Sequence, residues 1–420
     1  MNLFDLESTQ FRFPNDKKIR IFTTFSGIGC QEMALSRITK NYEVLGFAEI
    51  DNSAIKSYLA IHGNIKNYGD MCKIKGNELP NEIDILTYSF PCTDLSKAGK
   101  QKGLSSGTRS GLVFEVLRLL KELKEEKNLP KVLIMENVPD LLSPKFKSGW
   151  HTIYNEIEAM GYKNYVSILN AKDYGIPQNR NRVFMVSIPK GYYYEFPDKT
   201  KLVIKLKDLL EDEVDKKYYL SEKMLQFLND ETNRNGFIRK KQFRPHKIDE
   251  SDIAFTITTK AGSRPTDNFI EVFDFRYDEG IRGRVDNNLS PTITTKAGSK
   301  GLSGQPFIKV PQATKQGYAI AEIGDGIYTN RTESKRGVVQ KESVPTLKTS
   351  PNDLAVVVDD SNRLMAVRRL TPRECWRLMG ILDEDFHKAK NAGVSNSQLF
   401  KQAGNGIVVN VMEAILKQLF

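Results

Sequence analysis

The stretch "RIFTTFSGIGCQE" (residues 20–32) joins a strand pattern to the start of a helix through a glycine-containing turn. A β-branched and apolar run precedes Gly27 and Gly29, and a helical pattern follows them. Such a turn lets the backbone bend tightly and brings a ligand close to the helix N-terminus. It also occurs in α/β proteins without a ligand, and Cys30 stands where a further small residue of the dinucleotide-binding pattern is expected. The stretch therefore predicts an α/β fold and leaves the ligand open.

The alternation of strands and helices continues to about residue 189. Further strand patterns are "EVLGFAEI", "DILTYSF", "KVLIMEN", "YVSILN" and "RVFMVSI", and helical patterns such as "GLVFEVLRLLKELKEEK" lie between most of them. This order is typical of a mostly parallel sheet covered by helices on both faces. We expect a Rossmann-like, doubly wound domain over residues 1–190, completed by about 395–420.

After residue 190 long helical patterns become rare, and short strand patterns alternate with turns. The segment "ITTKAGS" occurs at 257–263 and again at 293–299, and "VPTLKTS" at 344–350 is a looser copy. The copies are either a strand–turn unit repeated for packing or a set of Thr and Lys side chains that contact nucleic acid. We expect a smaller, irregular β-rich domain over 191–394, with 368–380 at its hinge.

Composition limits the class of protein. A chain of 420 residues with 40% hydrophobic residues can fill a core, and its net charge of +10 suits a partner made of phosphates. No apolar run reaches the length of a membrane span, and the N-terminus lacks a signal-peptide pattern, so we expect a cytoplasmic protein. The cysteines are too few and too scattered for a disulfide framework or for paired zinc ligands: Cys30, Cys72, Cys92 and Cys375.

Chemically reactive side chains stand at the ends of two strand patterns. Cys92 follows Pro91 at the end of one strand and precedes a segment rich in Gly and Lys. A lone cysteine is most often a small buried hydrophobe, but a cationic surrounding at a strand end favours a nucleophile. Glu136 ends the next strand, where a carboxyl group is either paired or has a raised pKa suited to proton donation.

Other polar residues indicate a nucleoside-containing cofactor. Glu49 lies about twenty residues after the glycines, where an acidic side chain accepts hydrogen bonds from ribose hydroxyls, and Asp70 ends a third segment. If residues 178–182 are extended, Gln178, Arg180 and Arg182 share one face and can hold a carboxylate beside a base carbonyl or a phosphate. A solvated edge strand explains the same pattern.

Taken in order, these segments resemble the cytosine-C5 DNA methyltransferases of bacteria and phages. The matching segments are "FSGIG", "EID", "GDM", "SFPC", "ENV", "QNRNR", "RRLTPRECWRLMG" and "GNGIVVNV". The resemblance covers residues 20–190 and 365–420, and the ordered combination of "PC", "ENV" and "QNRNR" is its most specific part. It implies a Rossmann-like methyltransferase domain that uses S-adenosylmethionine, and a target-recognition domain in between.

The resemblance also implies residue roles. By this resemblance, Cys92 adds as a thiolate to carbon 6 of cytosine, and Glu136 hydrogen-bonds or protonates the ring nitrogen at position 3. Arg182 contacts the ring carbonyl and orients Glu136, and Arg180 supports the thiolate side of the pocket. The implied pocket for S-adenosylmethionine and its product S-adenosylhomocysteine is formed by Phe25, Gly27, Gly29, Glu49, Ile50, Asp70, Met71, Pro91 and Asn405. No metal ion is expected. The predicted DNA contacts are Ser96, Lys100, Gln178, Lys260 and Lys296.

The expected substrate is double-stranded DNA. We expect the protein to be a monomer encoded by a prokaryotic cell or a phage, and a companion restriction endonuclease is a further candidate partner. The base must be flipped out to meet Cys92, and residues 96–111 read as a loop that closes over it. Two residues depart from the family pattern: Cys30 replaces a glycine, and Thr93 stands where glutamine is common. Alternatives are a methyltransferase acting on RNA, a DNA-binding protein without catalysis and a nicotinamide-dependent oxidoreductase.

Overall fold

The structure is a computed structural model that describes residues 9–91, 110–218, 272–276, 280–283, 307–311, 318–328, 337–347, 354–360 and 363–420. The chain forms two compact units. The first contains Met1–Ile176, Arg180–Leu202 and Trp376–Phe420, and the second contains Pro177–Asn179 and Val203–Cys375.

Strands and helices are numbered in chain order. The strands are β1 (Ile19–Thr24), β2 (Tyr42–Ala48), β3 (Ile85–Tyr88), β4 (Val132–Asn137), β5 (Tyr162–Asn170), β6 (Gln178–Asn179), β7 (Asn181–Pro189), β8 (Val272–Arg276), β9 (Gly280–Gly283), β10 (Phe307–Pro311), β11 (Tyr318–Ala321), β12 (Gly326–Tyr328), β13 (Val339–Gln340), β14 (Val344–Pro345), β15 (Leu354–Asp360) and β16 (Arg363–Arg368). The helices are α1 (Cys30–Ile38), α2 (Asn52–His62), α3 (Val113–Glu125), α4 (Lys147–Ala159), α5 (Pro372–Arg377), α6 (Asp383–Asn391), α7 (Asn396–Asn405) and α8 (Val409–Lys417).

The first unit is built on a six-stranded sheet with the order β2-β1-β3-β4-β7-β5. Strands β1 to β4 are parallel to one another, and β7 runs antiparallel to both β4 and β5. In register, Ile21 of β1 pairs with Val44 of β2 and with Ile85 of β3. All six predicted strands form, and the prediction of a mostly parallel, Rossmann-like sheet is confirmed.

Burial explains why the central strands have such continuous apolar sequences. Every residue of β3 and of β4 is buried, as expected for strands covered on both faces. Helix α3 buries one apolar face, while Arg118 on its other side pairs with Glu115 and Glu122. The last helix, α8, packs against α1, where Arg37 pairs with Glu413. The sequence predicts that this helix returns to the first domain, and the structure confirms it.

The parallel strands bring the ends of distant segments to one edge of the sheet. After β1 comes the glycine turn, after β2 come Glu49 and Ile50, after β3 come Phe90 and Pro91, and Glu136 lies at the end of β4. Ligands of open α/β sheets bind at this carboxyl edge. The carboxyl edge of the sheet is therefore the expected location of the ligand site.

The second unit consists of small sheets. Their strand orders are β11-β10-β8-β9 and β13-β12-β15-β16, both antiparallel, and β14-β6, which is parallel. Val344 and Pro345 of the third repeat copy form β14, whereas both "ITTKAGS" copies lie outside the described residues. At residues 368–374, Arg368 and Glu374 form a fully buried ion pair with an Nη2–Oε1 distance of 2.7 Å.

Two negative findings apply to the described part of the chain. None of its helices is both long enough and apolar enough to cross a membrane. The same residues contain no group of three or more His, Cys, Asp and Glu side chains arranged to hold a metal ion.

Candidate active site

The turn after β1 has a backbone that requires glycine at one position and leaves open space at another. Gly27 and Gly29 have positive φ angles of 58° and 81°. A Cβ added to Gly29 would lie 2.2 Å from Nε2 of His62, whereas one added to Gly27 would meet no atom within 4 Å. Gly29 thus allows close packing against α2, and Gly27 leaves room for a ligand beside the backbone. Phe25, which precedes them, also has a positive φ of 52°.

A buried polar network lies beneath this turn. Oε1 of Glu32 accepts hydrogen bonds from Thr23 Oγ1 at 2.6 Å and from the Tyr58 hydroxyl at 2.7 Å, and Ser26 Oγ donates to the Thr23 carbonyl at 2.9 Å. Glu32 is fully buried. Burial, together with the nearby Glu32, raises the pKa of Tyr58, so the hydroxyl stays a donor. Sequence reasoning missed Glu32, although a carboxylate in the first turn of a buried helix is an unusual residue.

Glu49 connects the glycine turn to the turn after β2. Its Oε2 accepts a hydrogen bond from the Gly27 N–H at 2.9 Å, and its Oε1 accepts from the N–H groups of Ile50 and Asp51 at 2.8 and 2.9 Å. Ile50 is 69% exposed next to this carboxylate. An apolar side chain and an acceptor therefore stand side by side at the edge of the glycine turn.

The other predicted cofactor residues surround the same edge. Asp70 is half-buried, and its Oδ1 accepts from the Cys72 N–H at 3.0 Å; Met71 is buried and Pro91 is half-buried. Their positions are compatible with a pocket at this edge, and their contacts with a cofactor stay predictions.

Asn405 is exposed at the end of α7, which is attached to α2. Lys401 of α7 pairs with Asp51 at 2.6 Å, and Gln402 donates to the Ser53 carbonyl at 2.9 Å. Although burial acts in the opposite direction, Lys401 and the backbone N–H groups at the start of α2 lower the pKa of Asp51. A Cβ added to the next residue, Gly406, would lie 3.3 Å from the sulfur of Cys30, so α7 ends with Asn405 on the side of the glycine turn.

Glu136 and Arg182 form the second half of the site. Glu136 is 8% exposed, and its Oε1 lies 3.0 Å from Nε of Arg182. Burial raises the pKa of Glu136, and Arg182 and Arg180 offset part of this rise. A buried carboxyl group with a raised pKa can act as a proton donor, and the guanidinium group beside it can hold a ring carbonyl.

Asn137 links the end of β4 to the end of β3. Its Nδ2 donates to the Phe90 carbonyl at 3.1 Å, and its Oδ1 accepts from the Val138 N–H at 2.8 Å. Phe90 and Pro91 directly precede Cys92, which itself lies outside the described residues. Asn137 thus fixes the backbone from which Cys92 extends. The sequence signal for this residue was its place next to Glu136 at a strand end.

The segment 178–182 does not form one extended strand. Gln178 lies in β6 of the second unit, is fully buried and accepts through Oε1 from the Leu347 N–H at 2.9 Å, which gives no support to its predicted DNA contact. Arg180 is 3% exposed, and its Nη2 donates to the carbonyls of Gly404 and Gly406 at 3.0 and 2.8 Å. The structure thus corrects the expectation for Gln178, whose side chain binds Leu347, whereas Arg180 and Arg182 both act on Glu136.

Several predicted residues lie outside the described residues, so their contacts stay predictions: Cys92, Ser96, Lys100, Lys260 and Lys296. Thr93 and most of the 96–111 loop lie there as well. Of the thiols in the described ranges, Cys72 is exposed and Cys375 is buried. Cys30 is also buried, which raises its pKa to about 12 and makes it a poor nucleophile.

A nucleoside fits the first half of the site. The space beside Gly27 admits a group close to the backbone, the Glu49 carboxylate can accept from hydroxyls, and the exposed Ile50 offers an apolar surface for a flat ring. The second half, with Glu136 and Arg182, is suited to a polar ring that carries a nitrogen acceptor and a carbonyl.

Comparison with known proteins agrees with this chemistry. The chain is 32% identical over 460 aligned positions to the orphan methyltransferase M.SPRI of Bacillus phage SPR, with 96% of this chain and 97% of that protein covered. It is 29% identical over 458 positions to the type II methyltransferase M2.ScrFI of Lactococcus lactis subsp. cremoris, with 96% and 99% covered.

A solved methyltransferase of Entamoeba histolytica, EhMeth, has the same fold, with a TM-score of 0.55 at 16% identity over 96% of this chain and 98% of that one. A sequence model of the C-5 cytosine-specific DNA methylases matches residues 19–420. The chain belongs to this family and is a DNA cytosine-5 methyltransferase.

Proposed function

We propose that this enzyme methylates carbon 5 of a cytosine that is flipped out of double-stranded DNA at a specific sequence, through a covalent adduct with Cys92. The observation that carries the proposal is the buried Glu136–Arg182 pair at the sheet edge where the chain reaches Cys92. Such a pair can recognise the nitrogen and carbonyl of a cytosine ring.

The chain's own residues account for the activation of the base. The Cys92 thiolate forms a bond to carbon 6, and the electrons of the 5,6 double bond move into the ring toward nitrogen 3. Glu136 donates its proton to nitrogen 3, so that carbon 5 becomes enamine-like and nucleophilic. Arg182 holds the ring carbonyl and the Glu136 carboxyl group in place. After methylation, nitrogen 3 returns its proton to the Glu136 carboxylate, and the carbon 5 proton passes to solvent. The electron pair left at carbon 5 re-forms the 5,6 double bond as the carbon–sulfur bond breaks and releases the Cys92 thiolate.

The methyl donor implied by the family is S-adenosylmethionine, which supplies an electrophilic methyl group when bound and is released as S-adenosylhomocysteine. Glu49 is suited to the ribose hydroxyls, Ile50 and Met71 to the flat adenine ring, and Asp70 to its amino group. Asn405 is suited to closing the pocket.

The substrate proposal rests on charge and on the second unit. The net charge of +10 favours a phosphate backbone, and a β-rich unit of this size can reach base edges in the major groove. Flipping one base costs a few kcal/mol, which protein contacts must offset. One relative is named a type II methyltransferase and another an orphan methyltransferase, so a companion restriction endonuclease is one of two arrangements known among the relatives.

The test is base-resolution mapping of 5-methylcytosine in unmethylated genomic DNA after incubation with the enzyme and S-adenosylmethionine. We expect methylation at one short recurring sequence. The matched control is Cys92→Ala, which should bind S-adenosylmethionine normally and transfer no methyl group. Methylation by this variant would overturn the covalent mechanism, and methylation of RNA alone would overturn the DNA substrate.

A further inference from the structure

The turn at residues 404–407 is bound by the buried Arg180, which directly precedes β7. Nη2 of Arg180 donates to the Gly404 carbonyl at 3.0 Å and to the Gly406 carbonyl at 2.8 Å, and the residue is 3% exposed. These two carbonyls flank Asn405. A buried guanidinium group that binds carbonyls on both sides of one residue restricts the backbone of that residue.

A second buried side chain holds the same turn from the glycine-turn side. The Cys30 sulfur lies against this turn, because a Cβ added to Gly406 would be 3.3 Å from it. Cys30 begins α1 directly after Gly29. The departure from the family's glycine pattern therefore fills the space between the glycine turn and the C-terminal turn.

We propose that Arg180 is a positioning residue of the cofactor site, which fixes the 404–407 turn and so presents Asn405 to S-adenosylmethionine. This inference rests on the proposed function, because Asn405 belongs to the cofactor pocket only there. The inference gives the two arginines of "QNRNR" different main roles. Both arginines act on the charge of Glu136, but only Arg182 pairs with it, whereas Arg180 also binds the C-terminal turn and so serves the cofactor.

The experiment measures S-adenosylmethionine affinity without DNA, and kcat at saturating cofactor and DNA. Arg180→Lys keeps the charge but loses the planar fork, so we expect the dissociation constant of S-adenosylmethionine, measured without DNA, to rise about tenfold. Arg182→Lys is the matched control and should lower kcat while leaving cofactor affinity unchanged. The double variant with Arg180→Lys and Asn405→Ala should bind S-adenosylmethionine no more weakly than Asn405→Ala alone, because both substitutions act through Asn405.

A variant on the other side of the turn tests the inference without changing Arg180. The φ of Gly406 is −68°, so alanine is allowed there by the backbone and acts through its contacts, which include the Cys30 sulfur. We expect Gly406→Ala to weaken cofactor binding and Cys30→Ala to restore part of the affinity in the double variant. Melting temperatures of all variants identify any that fail to fold.

Two outcomes would count against the inference, and Glu49→Gln separates them. If Glu49→Gln weakens cofactor binding while Arg180→Lys and Gly406→Ala do not, the role of Arg180 is overturned and the proposed cofactor site stands. If none of the three weakens binding, the cofactor site itself is wrong and the inference fails with it.

Discussion

Glu136 experiences two opposing influences on its carboxyl group. Burial disfavours the charged form, while Arg182 and Arg180 favour it, and the net result is a raised pKa. A carboxyl group with a raised pKa keeps its proton at a pH where an ordinary glutamate is ionised. This is the property that protonation of a ring nitrogen needs.

The first prediction concerns the pH dependence of methyl transfer. In the proposed mechanism the protonated form of Glu136 is the active one, so kcat should fall as pH rises through the raised pKa of Glu136. Glu136→Gln removes the proton donor, so kcat should drop by about 10²–10⁴ and lose this pH dependence. Single-turnover rates across a pH series, with DNA affinity as the control, measure both effects. An unchanged pH profile in the variant would exclude Glu136 as the donor.

The second prediction concerns stability at the same residue. Since the pKa of Glu136 is higher in the folded state than its usual value of 4.5, ionisation of this residue destabilises the fold as pH rises. Glu136→Gln should therefore melt at a higher temperature than the parent at neutral pH, and the difference should vanish below about pH 4.5. Glu43, which is exposed and pairs with Lys18, is the control for the loss of a surface ion pair: Glu43→Gln should change the free energy of unfolding by at most about 1 kcal/mol. A lower melting temperature for Glu136→Gln at neutral pH would show that its ion pair outweighs its burial.

The third prediction concerns Gly29. Its φ is 81°, and an added Cβ would lie within 3 Å of His62 and Tyr58. Gly29→Ala should lower both stability and S-adenosylmethionine affinity, because α2 must move away from the turn. Gly191 has a φ of 94° with no atom within 4 Å of an added Cβ, so Gly191→Ala should cost backbone strain alone, roughly 1–2 kcal/mol. Chemical denaturation compares the two; an equal loss in both variants would mean that the His62 contact is unimportant.

At the scale of elements, the strands were predictable because burial dictates their composition. Fully buried β3 and β4 have continuous apolar sequences, and each ends at a polar residue or a proline that the local pattern marks. The positions of Glu49 and Glu136 at strand ends followed from the same rule. What each side chain contacts did not follow, because contacts depend on segments that are far apart in sequence.

The segment 178–182 illustrates this limit. Alternating side chains predict a single extended strand, but β6 pairs with β14, more than 160 residues later, whereas β7 pairs with β4 and β5. The chain passes between the two sheets at Arg180, whose side chain binds carbonyls near the C-terminus. A local pattern contains no information on pairings of this range.

The fourth prediction tests whether the ends of β3 and β4 must be held together. Asn137→Ala removes the hydrogen bond to the Phe90 carbonyl, so the backbone before Cys92 can shift, and kcat should fall by about tenfold or more. Asn128 makes a comparable contact between elements elsewhere: its Oδ1 accepts from the Glu82 N–H at 2.9 Å. Asn128→Ala should therefore reduce stability to a similar extent and leave kcat unchanged. Equal kcat values in the two variants would rule out a positioning role for Asn137.

At the scale of the whole molecule, the described residues that are proposed to bind the cofactor and the base belong to the first unit. Glu49, Glu136, Arg182 and Asn405 all lie within its three segments. The second unit is built of small sheets, without a comparable buried ion pair at a parallel sheet edge among its described residues. We therefore expect changes in the repeat copies of the second unit to affect DNA recognition and to leave the chemistry intact.

The fifth prediction applies this division to Lys260 and Lys296, which occupy the same position in the two "ITTKAGS" copies. If each contacts a phosphate, each alanine variant should weaken DNA binding and reduce the slope of log affinity against log salt concentration by about one. S-adenosylmethionine affinity should not change. Lys121, an exposed residue paired with Glu156 on the first unit, is the charge-matched control, and Lys121→Ala should leave the slope as it is. If the repeat variants keep the parental slope but lose stability, the copies serve packing, and the bases must be read by other residues of the second unit.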